Sequence, residues 1–161
     1  MKKIIKKAIR EDAAILASLI KNSNKEVALQ FGITNDNNPK HPSFYTKEWV
    51  LNDLNRGEEY FLFQQNGKSI ACVAYESTRA DTAYLNRLSV LSTHQNKGIG
   101  EELVAHIFKY SKEKKHQQVS IGIIAEHIKL KNWYLKLGFR EKVTKSFEHL
   151  PFDVTYMSYK L

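Results

Sequence analysis

The chain has 161 residues, of which 42% are hydrophobic, and its formal net charge is +8. This length and composition fit one globular domain, spanning residues 1–161, rather than two. No apolar run approaches the roughly 20 residues of a membrane-spanning helix, so we expect a cytoplasmic protein that does not enter a membrane. The positive charge favours an anionic partner, and nucleic acid, an acidic membrane surface and a phosphorylated small molecule all qualify.

The start of the chain predicts a strand and then a helix. IIKKAIRED indicates a short strand, after which Asp12 is expected to be the N-cap of the helix. The spacing of the apolar residues that follow places four of them on one helix face: Ile15, Leu16, Leu19 and Ile20.

An irregular segment precedes the second predicted helix. Residues 32–43, GITNDNNPKHPS, concentrate Asn, Pro and Gly, which are the residues of turns, so they predict a surface loop. The helix is expected from about Thr46 to Asn55, with Gly57 ending it.

The middle of the chain predicts three antiparallel strands. EYFLFQQ and KSIACVAYES flank the dipeptide Asn66-Gly67, which favours a tight two-residue hairpin turn, and TAYLNRLSV adds the third strand. The single cysteine, Cys72, lies in an alternating apolar stretch, so we expect a buried thiol rather than a nucleophile.

The second half of the chain alternates strand and helix. A helical crossover between neighbouring strands makes them parallel, so the sheet is expected to be mixed, and two final strands close the chain. The predicted ranges are strand 82–90, helix 98–115, strand 118–125, helix 128–137, and strands at about 140–148 and 153–161.

The turn HQNKGIGEELV carries two glycines, Gly98 and Gly100, at the start of a predicted helix. A nucleoside-triphosphate loop is excluded because one residue separates the glycines and Lys97 precedes them. A dinucleotide fingerprint is excluded because Leu103 stands where its third glycine belongs. Glycines at a helix N-terminus still let backbone N–H groups approach an anion, so either a pyrophosphate site or a simple chain reversal fits.

Two blocks of the sequence resemble the GNAT superfamily of N-acetyltransferases. RLSVLSTHQNKGIGEELV is similar to the family's acetyl-CoA motif, an apolar strand end followed by a Q/R-x-x-G-x-G/A turn, with Val90, Gln95, Gly98 and Gly100 in the motif positions. EHIKLKNWYLKLGF, residues 126–139, is similar to the family block E-N-x-x-A-x-x-L-Y-E-K-L-G-F. The order of strands and helices agrees along nearly the whole chain.

The resemblance implies a GNAT-like α/β fold with about seven strands, about four helices and a splayed central parallel pair. It implies acetyl-CoA as cosubstrate, a Val90 N–H that polarises the thioester carbonyl, and Tyr134 as general acid. Spacing alone favours Tyr134 as a core residue of the apolar helix face Leu130, Trp133, Tyr134 and Leu137, and only the resemblance favours the general acid. For His127 a helix cap is as plausible as a cofactor contact. The implied cofactor contacts are Leu88, Ser89, Val90, Gln95, Asn96, Lys97, Gly98, Ile99, Gly100, Glu101, His127 and Tyr134.

The base that takes the proton from the acceptor amine is not assigned. Several relatives supply a glutamate from the strand before the turn, but this chain has Asn86 and Arg87 there. The candidates are Glu76 at the end of its strand, Glu126 where the splayed strands open, and the loop group Glu148, His149 and Asp153 in the turn KSFEHLPFD. Each of them alone is more often an ordinary surface residue. The histidines form no H-x-x-x-H pair, so we predict no metal site.

The favoured hypothesis is an N-acetyltransferase that passes the acetyl group of acetyl-CoA to a primary amine by direct attack in a ternary complex. The alternatives are a GNAT-like CoA-binding regulator without turnover and a basic nucleic-acid-binding protein, although no specific nucleic-acid motif is present. Arg87 and the net charge favour an acidic or phosphorylated acceptor. Homodimers are common among relatives, so self-association stays open.

Overall fold

The computed structural model describes residues 2–161, and the seven strands of this part of the chain join one sheet. The strands are β1 (Lys3–Lys7), β2 (Glu59–Gln65), β3 (Lys68–Arg79), β4 (Thr82–Val90), β5 (Gln118–Ile124), β6 (Arg140–Lys145) and β7 (Val154–Lys160). Their order in the sheet is β1-β2-β3-β4-β5-β7-β6, in which β4 and β5 run parallel and every other neighbouring pair is antiparallel.

Helices cover both faces of this sheet. Strand β2 shows the division, because Phe61 and Phe63 belong to the core on the α4 and α5 side while Tyr60 and Leu62 belong to the core under α1 and α3. None of the helices in residues 2–161 is long and apolar enough to cross a membrane. The helices are α1 (Ala13–Ser23), α2 (Lys25–Gln30), α3 (Lys47–Asn55), α4 (Ile99–Glu113) and α5 (Ile128–Lys136).

The two parallel strands separate after a short contact. They are paired at three positions, Thr82 with Gln118, Ala83 with Val119, and Tyr84 with Ser120. Beyond that point β4 stays paired with β3 as far as Val90, and β5 stays paired with β7 as far as Ile124. A wedge therefore opens between β4 and β5, which confirms the predicted mixed sheet with a splayed central pair.

Three local expectations differ from the structure. Ile15 is 45% exposed, whereas Leu16, Leu19 and Ile20 are buried, so the buried face of α1 is narrower than predicted. Helix α2 was not predicted, since six residues are too few to show a helical period. The segment 32–43 is irregular as expected, but it is not wholly a surface loop, because three of its polar side chains are buried: Asn38, His41 and Ser43.

The capping of α1 also differs in detail from the prediction. Asp12 precedes the helix, but its side chain makes no hydrogen bond to the first turn. Its Oδ2 instead accepts a hydrogen bond from the Ile9 N–H at 2.9 Å and lies 3.7 Å from the Lys6 Nζ. The carboxylate therefore ties the end of β1 to the start of the helix.

A buried group of charges joins α3 to the sheet through Arg87. This residue has a φ of 49° at a bulge in β4, and its side chain is 17% exposed. The guanidinium is ion-paired with Glu58, lies 3.7 Å from Asp53, and donates from Nε to the Tyr60 hydroxyl at 2.7 Å. Tyr45 and Tyr60 both donate to the same Asp53 oxygen. The charge of Arg87 is therefore neutralised internally, so this side chain gives no support to the prediction of an acidic or phosphorylated acceptor.

We predict that Arg87→Met lowers the free energy of unfolding by about 3–5 kcal/mol, because it removes the more deeply buried counter-ion of Glu58 and Asp53. Both carboxylates then keep only Arg56 as a counter-ion, which lies 3.2 Å and 2.8 Å from them and is 55% exposed. Urea denaturation measures the loss. The matched control is Arg79→Met, whose pair with Asp81 is 3.8 Å long and whose side chain is 65% exposed; it should change stability by at most about 1 kcal/mol. Equal losses in the two variants would show that the buried group does not anchor α3.

Candidate active site

The wedge between β4 and β5 leads into a cavity of about 690 Å³. The end of β4 lines it through residues 88–90, and the turn before α4 lines it through His94, Gln95, Asn96 and residues 98–101. Two further walls complete it. One comes from α5 and its cap, with His127, Lys129, Leu130, Asn132, Trp133 and Lys136, and the other from the α1–α2 corner, with Ser23, Asn24, Glu26, Val27 and Gln30.

The turn before α4 presents a run of backbone donors to this cavity. Among residues 2–161, no backbone or side-chain acceptor takes a hydrogen bond from the amides of residues 96–101. Asn96 has a φ of 61° and Gly98 a φ of 81°, and this left-handed backbone lets successive N–H groups converge. The positive end of the α4 dipole adds to the same field. The turn is therefore suited to an anion such as a phosphate or diphosphate.

Gly100 serves packing rather than backbone conformation. A Cβ at this position would lie 3.1 Å from the Trp133 side chain, closer than most real contacts of that kind. The Trp133 indole also donates from Nε1 to the Glu101 carboxylate at 3.0 Å. The indole therefore locks α5 against the start of α4, and Lys129 and Lys136 line the same side of the cavity as positive charges.

The end of β4 turns its Val90 amide into the wedge. The next residue, Leu91, donates its N–H to the Ile70 carbonyl of β3 at 3.0 Å. Successive N–H groups of a strand point to opposite sides, so the Val90 N–H points away from β3 towards the space left by β5. The Gln95 side chain donates to the Val90 carbonyl at 3.1 Å, which ties the anion-binding turn to the end of the strand.

Helix α5 carries the two ring side chains implicated by the sequence. His127 caps it, because Nδ1 accepts from the Leu130 N–H at 3.4 Å, and burial lowers the pKa of this histidine. The neutral ring then carries its proton on Nε2. Its ring centroid is 5.3 Å from that of Phe31, so the two walls of the cavity meet there. Tyr134 is buried below the cavity lining, and burial raises the pKa of its phenol well above the ordinary value.

The other predicted site residues lie outside the cavity lining. Lys97 is exposed on the turn, Glu126 is exposed beside His127, and His149 is exposed in the turn between β6 and β7. Glu76 lies 3.6 Å from Arg56 in the buried charged group. The sequence singles out no residue of the α1–α2 corner, because α2 is too short to show a helical period. The sequence places Trp133 on an apolar helix face and cannot predict its contact with Gly100, because the two residues are distant in the chain.

Comparisons with known proteins agree with this architecture. A family model described as the acetyltransferase (GNAT) family matches residues 29–139. No curated protein gave a match. The PaiA N-acetyltransferase from Thermoplasma acidophilum, solved in complex with coenzyme A, is 21% identical and covers all of both chains with a TM-score of 0.80.

Two further solved structures are similar. A ribosomal-protein-alanine N-acetyltransferase from Brucella melitensis is 19% identical over 98% of this chain and 99% of its own, with a TM-score of 0.74. A GNAT family acetyltransferase from Elizabethkingia anophelis, solved with acetyl-CoA bound, is 21% identical over 72% of this chain and 84% of its own, with a TM-score of 0.62. At such identities the likeness establishes a shared fold and leaves the acceptor open.

We predict that Cys72 does not react as a nucleophile in the folded protein. The thiol is fully buried in β3, and burial raises its pKa to about 12, so roughly one molecule in ten thousand is a thiolate at pH 8. A coloured disulfide reagent at pH 8 should label it only as fast as the chain unfolds, and rapidly once urea is added. Fast labelling of the native protein would contradict this assignment.

Proposed function

The chain belongs to the acetyltransferase (GNAT) family, and from that membership we propose that it is an N-acetyltransferase that transfers the acetyl group of acetyl-CoA to a primary amine. We propose further that residues 1–161 act as one domain and that the amine attacks directly while both substrates are bound. The observation that carries the proposal is the run of unpaired amides at residues 96–101, which opens on the same cavity as the splayed end of β4.

The cavity suits the chemical parts of acetyl-CoA. Its diphosphate would lie against the amides of residues 96–101, with Lys129 and Lys136 supplying positive charge on the facing helix. Its pantetheine arm would lie in the wedge along residues 88–90, where the strand offers hydrogen-bonding groups that β5 does not use. Cofactor recognition then rests mainly on the backbone. This agrees with two departures of the chain from the family block, which has asparagine at the position of His127 and alanine at the position of Leu130.

The Val90 N–H is the proposed donor to the thioester carbonyl oxygen. Negative charge develops on that oxygen as the amine attacks, and a fixed backbone donor stabilises it without having to reorient. One such donor typically lowers the barrier by about 3–4 kcal/mol. The hydrogen bond from Gln95 to the Val90 carbonyl holds the following peptide unit, so it restrains Val90 from its carboxyl side.

Tyr134 is the proposed general acid. Its phenol is protonated at neutral pH, so it has a proton to give when the carbon–sulfur bond breaks. Burial raises the pKa of this phenol, so it stays protonated in alkaline solution as well. The ring is fixed by Trp133 and Phe139, whose ring centroids lie 4.9 Å and 5.2 Å from its own. A ring fixed in this way could transfer one proton to the CoA sulfur when the pantetheine arm lies in the wedge.

The acceptor amine must lose a proton before it attacks. An alkylamine with a pKa of about 10 is neutral in roughly one molecule in a thousand at pH 7, which adds about 4 kcal/mol to the barrier. Glu126 and His149 remain the proposed bases. Because both side chains are exposed and outside the cavity lining, either one would act through a chain of water molecules.

We predict that Gly98→Ala weakens acetyl-CoA binding at least tenfold in isothermal calorimetry. Its φ of 81° is unfavourable for alanine, so the turn would relax and its amides would no longer converge. Gly67→Ala is the matched control, since Gly67 has a φ of 80° in the distant β2–β3 turn and equally open surroundings. Both variants should lose similar stability. Unchanged acetyl-CoA affinity in Gly98→Ala would remove the diphosphate assignment.

We predict that Tyr134→Phe slows acetyl transfer about a hundredfold while acetyl-CoA affinity stays within about twofold, because only the proton is lost. An assay of CoA release at fixed times measures the rate of acetyl transfer, and isothermal calorimetry measures the acetyl-CoA affinity. Tyr159→Phe is the control, since that ring packs in the same core against Phe108 and Phe139. An equal loss of rate and affinity would show that Tyr134 mainly shapes the site, and an unchanged rate would remove the general-acid assignment. Acetyl-CoA binding without any acetyl transfer by the wild type would favour a CoA-binding regulator.

A further inference from the structure

The cavity has two chemically different walls. The α5 wall carries Lys129 and Lys136, and the turn adds its free amides. The one carboxylate on this side, Glu101, accepts from the Trp133 indole, so the side is net positive and rich in donors. The facing α1–α2 corner carries Glu26 as its charged lining group. An anion and a cation would therefore bind to opposite sides of one cavity.

The α1–α2 corner offers hydrogen-bond acceptors that no other group in residues 2–161 uses. The Ser23 Oγ is buried without a partner. Asn24 donates from its amide nitrogen to the Ile20 carbonyl at 2.7 Å and lies 3.5 Å from the Ser89 Oγ, which leaves its Oδ1 free. Glu26 forms no ion pair and no side-chain hydrogen bond among the described residues.

This set of groups suits an ammonium ion. An ammonium carries three N–H donors and no acceptor, so it matches a carboxylate surrounded by free oxygen acceptors. A carboxylate or phosphate at the same place would face the Glu26 charge, and only the Ser23 hydroxyl and the Gln30 amide could donate to it. This wall therefore suits positive charge in the acceptor, the reverse of what the net charge of the chain suggests.

The corner also has an inner and an outer part. Asn24 touches Ser89, the residue next to the Val90 amide, so the inner part adjoins the proposed position of the thioester carbonyl. Glu26 and Gln30 are four residues apart on α2, so they share one face of that helix. They form the outer part of the corner, because they follow Asn24 in the chain as it leads away from β4. One nitrogen of an acceptor can thus lie beside the thioester while a second positive group lies at Glu26.

We propose that the acceptor is a cationic amine carrying a second positive group, as in a diamine, and that Glu26 binds that second group. This inference rests on the proposed function. In the reaction a carbon–nitrogen bond forms as the carbon–sulfur bond breaks, and the proton lost by the attacking nitrogen balances the one gained by the CoA thiolate. The second ammonium takes no part in the chemistry.

The test uses acceptors that differ only at their far end. Linear diamines of three to six carbons are compared with the amino alcohols and the ω-amino acids of equal length, using acetyl-CoA and the full chain. For the wild type we expect kcat/KM for the best diamine to exceed that of its amino alcohol at least tenfold, with the amino acid poorest. In Glu26→Gln this preference should fall below threefold, mainly through KM.

Glu48→Gln is the matched control, because it removes the same charge from an exposed residue of α3 outside the cavity lining. It should keep the full preference for diamines. Absence of a diamine preference at every length, the same preference in Glu26→Gln, or an equal loss in Glu48→Gln would each overturn the inference. Acetylation of amino alcohols without a diamine preference would leave the proposed function intact, whereas no acetyl-CoA binding at all would remove the proposed function itself.

Discussion

The separation of β4 from β5 is the constraint on which the site depends. The two strands are hydrogen bonded at only three positions, and each then follows its other neighbour. A central strand with one unpaired edge is costly in a folded protein unless another group satisfies its backbone. The unpaired edge of β4 is therefore suited to binding a ligand, and its residues 88–90 line the cavity.

Two sets of contacts lie on either side of this edge. A bulge interrupts β4 at Arg87, whose side chain is held by Glu58 and Asp53 beneath α3. On the other face, the Trp133 indole packs against Gly100, which fixes α5 beside the start of α4. The first set is electrostatic and the second is steric.

Backbone groups carry most of the proposed donor recognition, whereas side chains carry the proposed acceptor recognition. Amides at residues 96–101 and at Val90 do not depend on side-chain identity, so a chain can depart from its family at His127 or Leu130 and keep the donor site. The proposed acceptor site at the α1–α2 corner depends on the side chains of Ser23, Asn24 and Glu26. A substitution there would therefore change the proposed acceptor selectivity and leave the backbone donors of the cofactor site in place.

Local chemistry in the sequence was enough to predict the elements other than α2, and it predicted the glycine turn before α4 as either a pyrophosphate site or a simple chain reversal. Strand alternation, the Asn66-Gly67 turn and the glycine pair before α4 each act over a few neighbouring residues, so their geometry can be inferred without the rest of the fold. The two family blocks added what local chemistry could not. They predicted that the parallel strands, Gln95, Gly98 and Val90 lie around one cavity.

Tertiary structure alone decided the rest, because it depends on contacts between residues distant in the chain. The exposure of Ile15, the packing of Gly100 against Trp133, and the burial of Arg87 by Glu58 and Asp53 have no local signature. Helix α2 is too short to show a period, yet it forms one wall of the cavity. Periodicity predicts which residues share a face, but only the packed chain determines what that face meets.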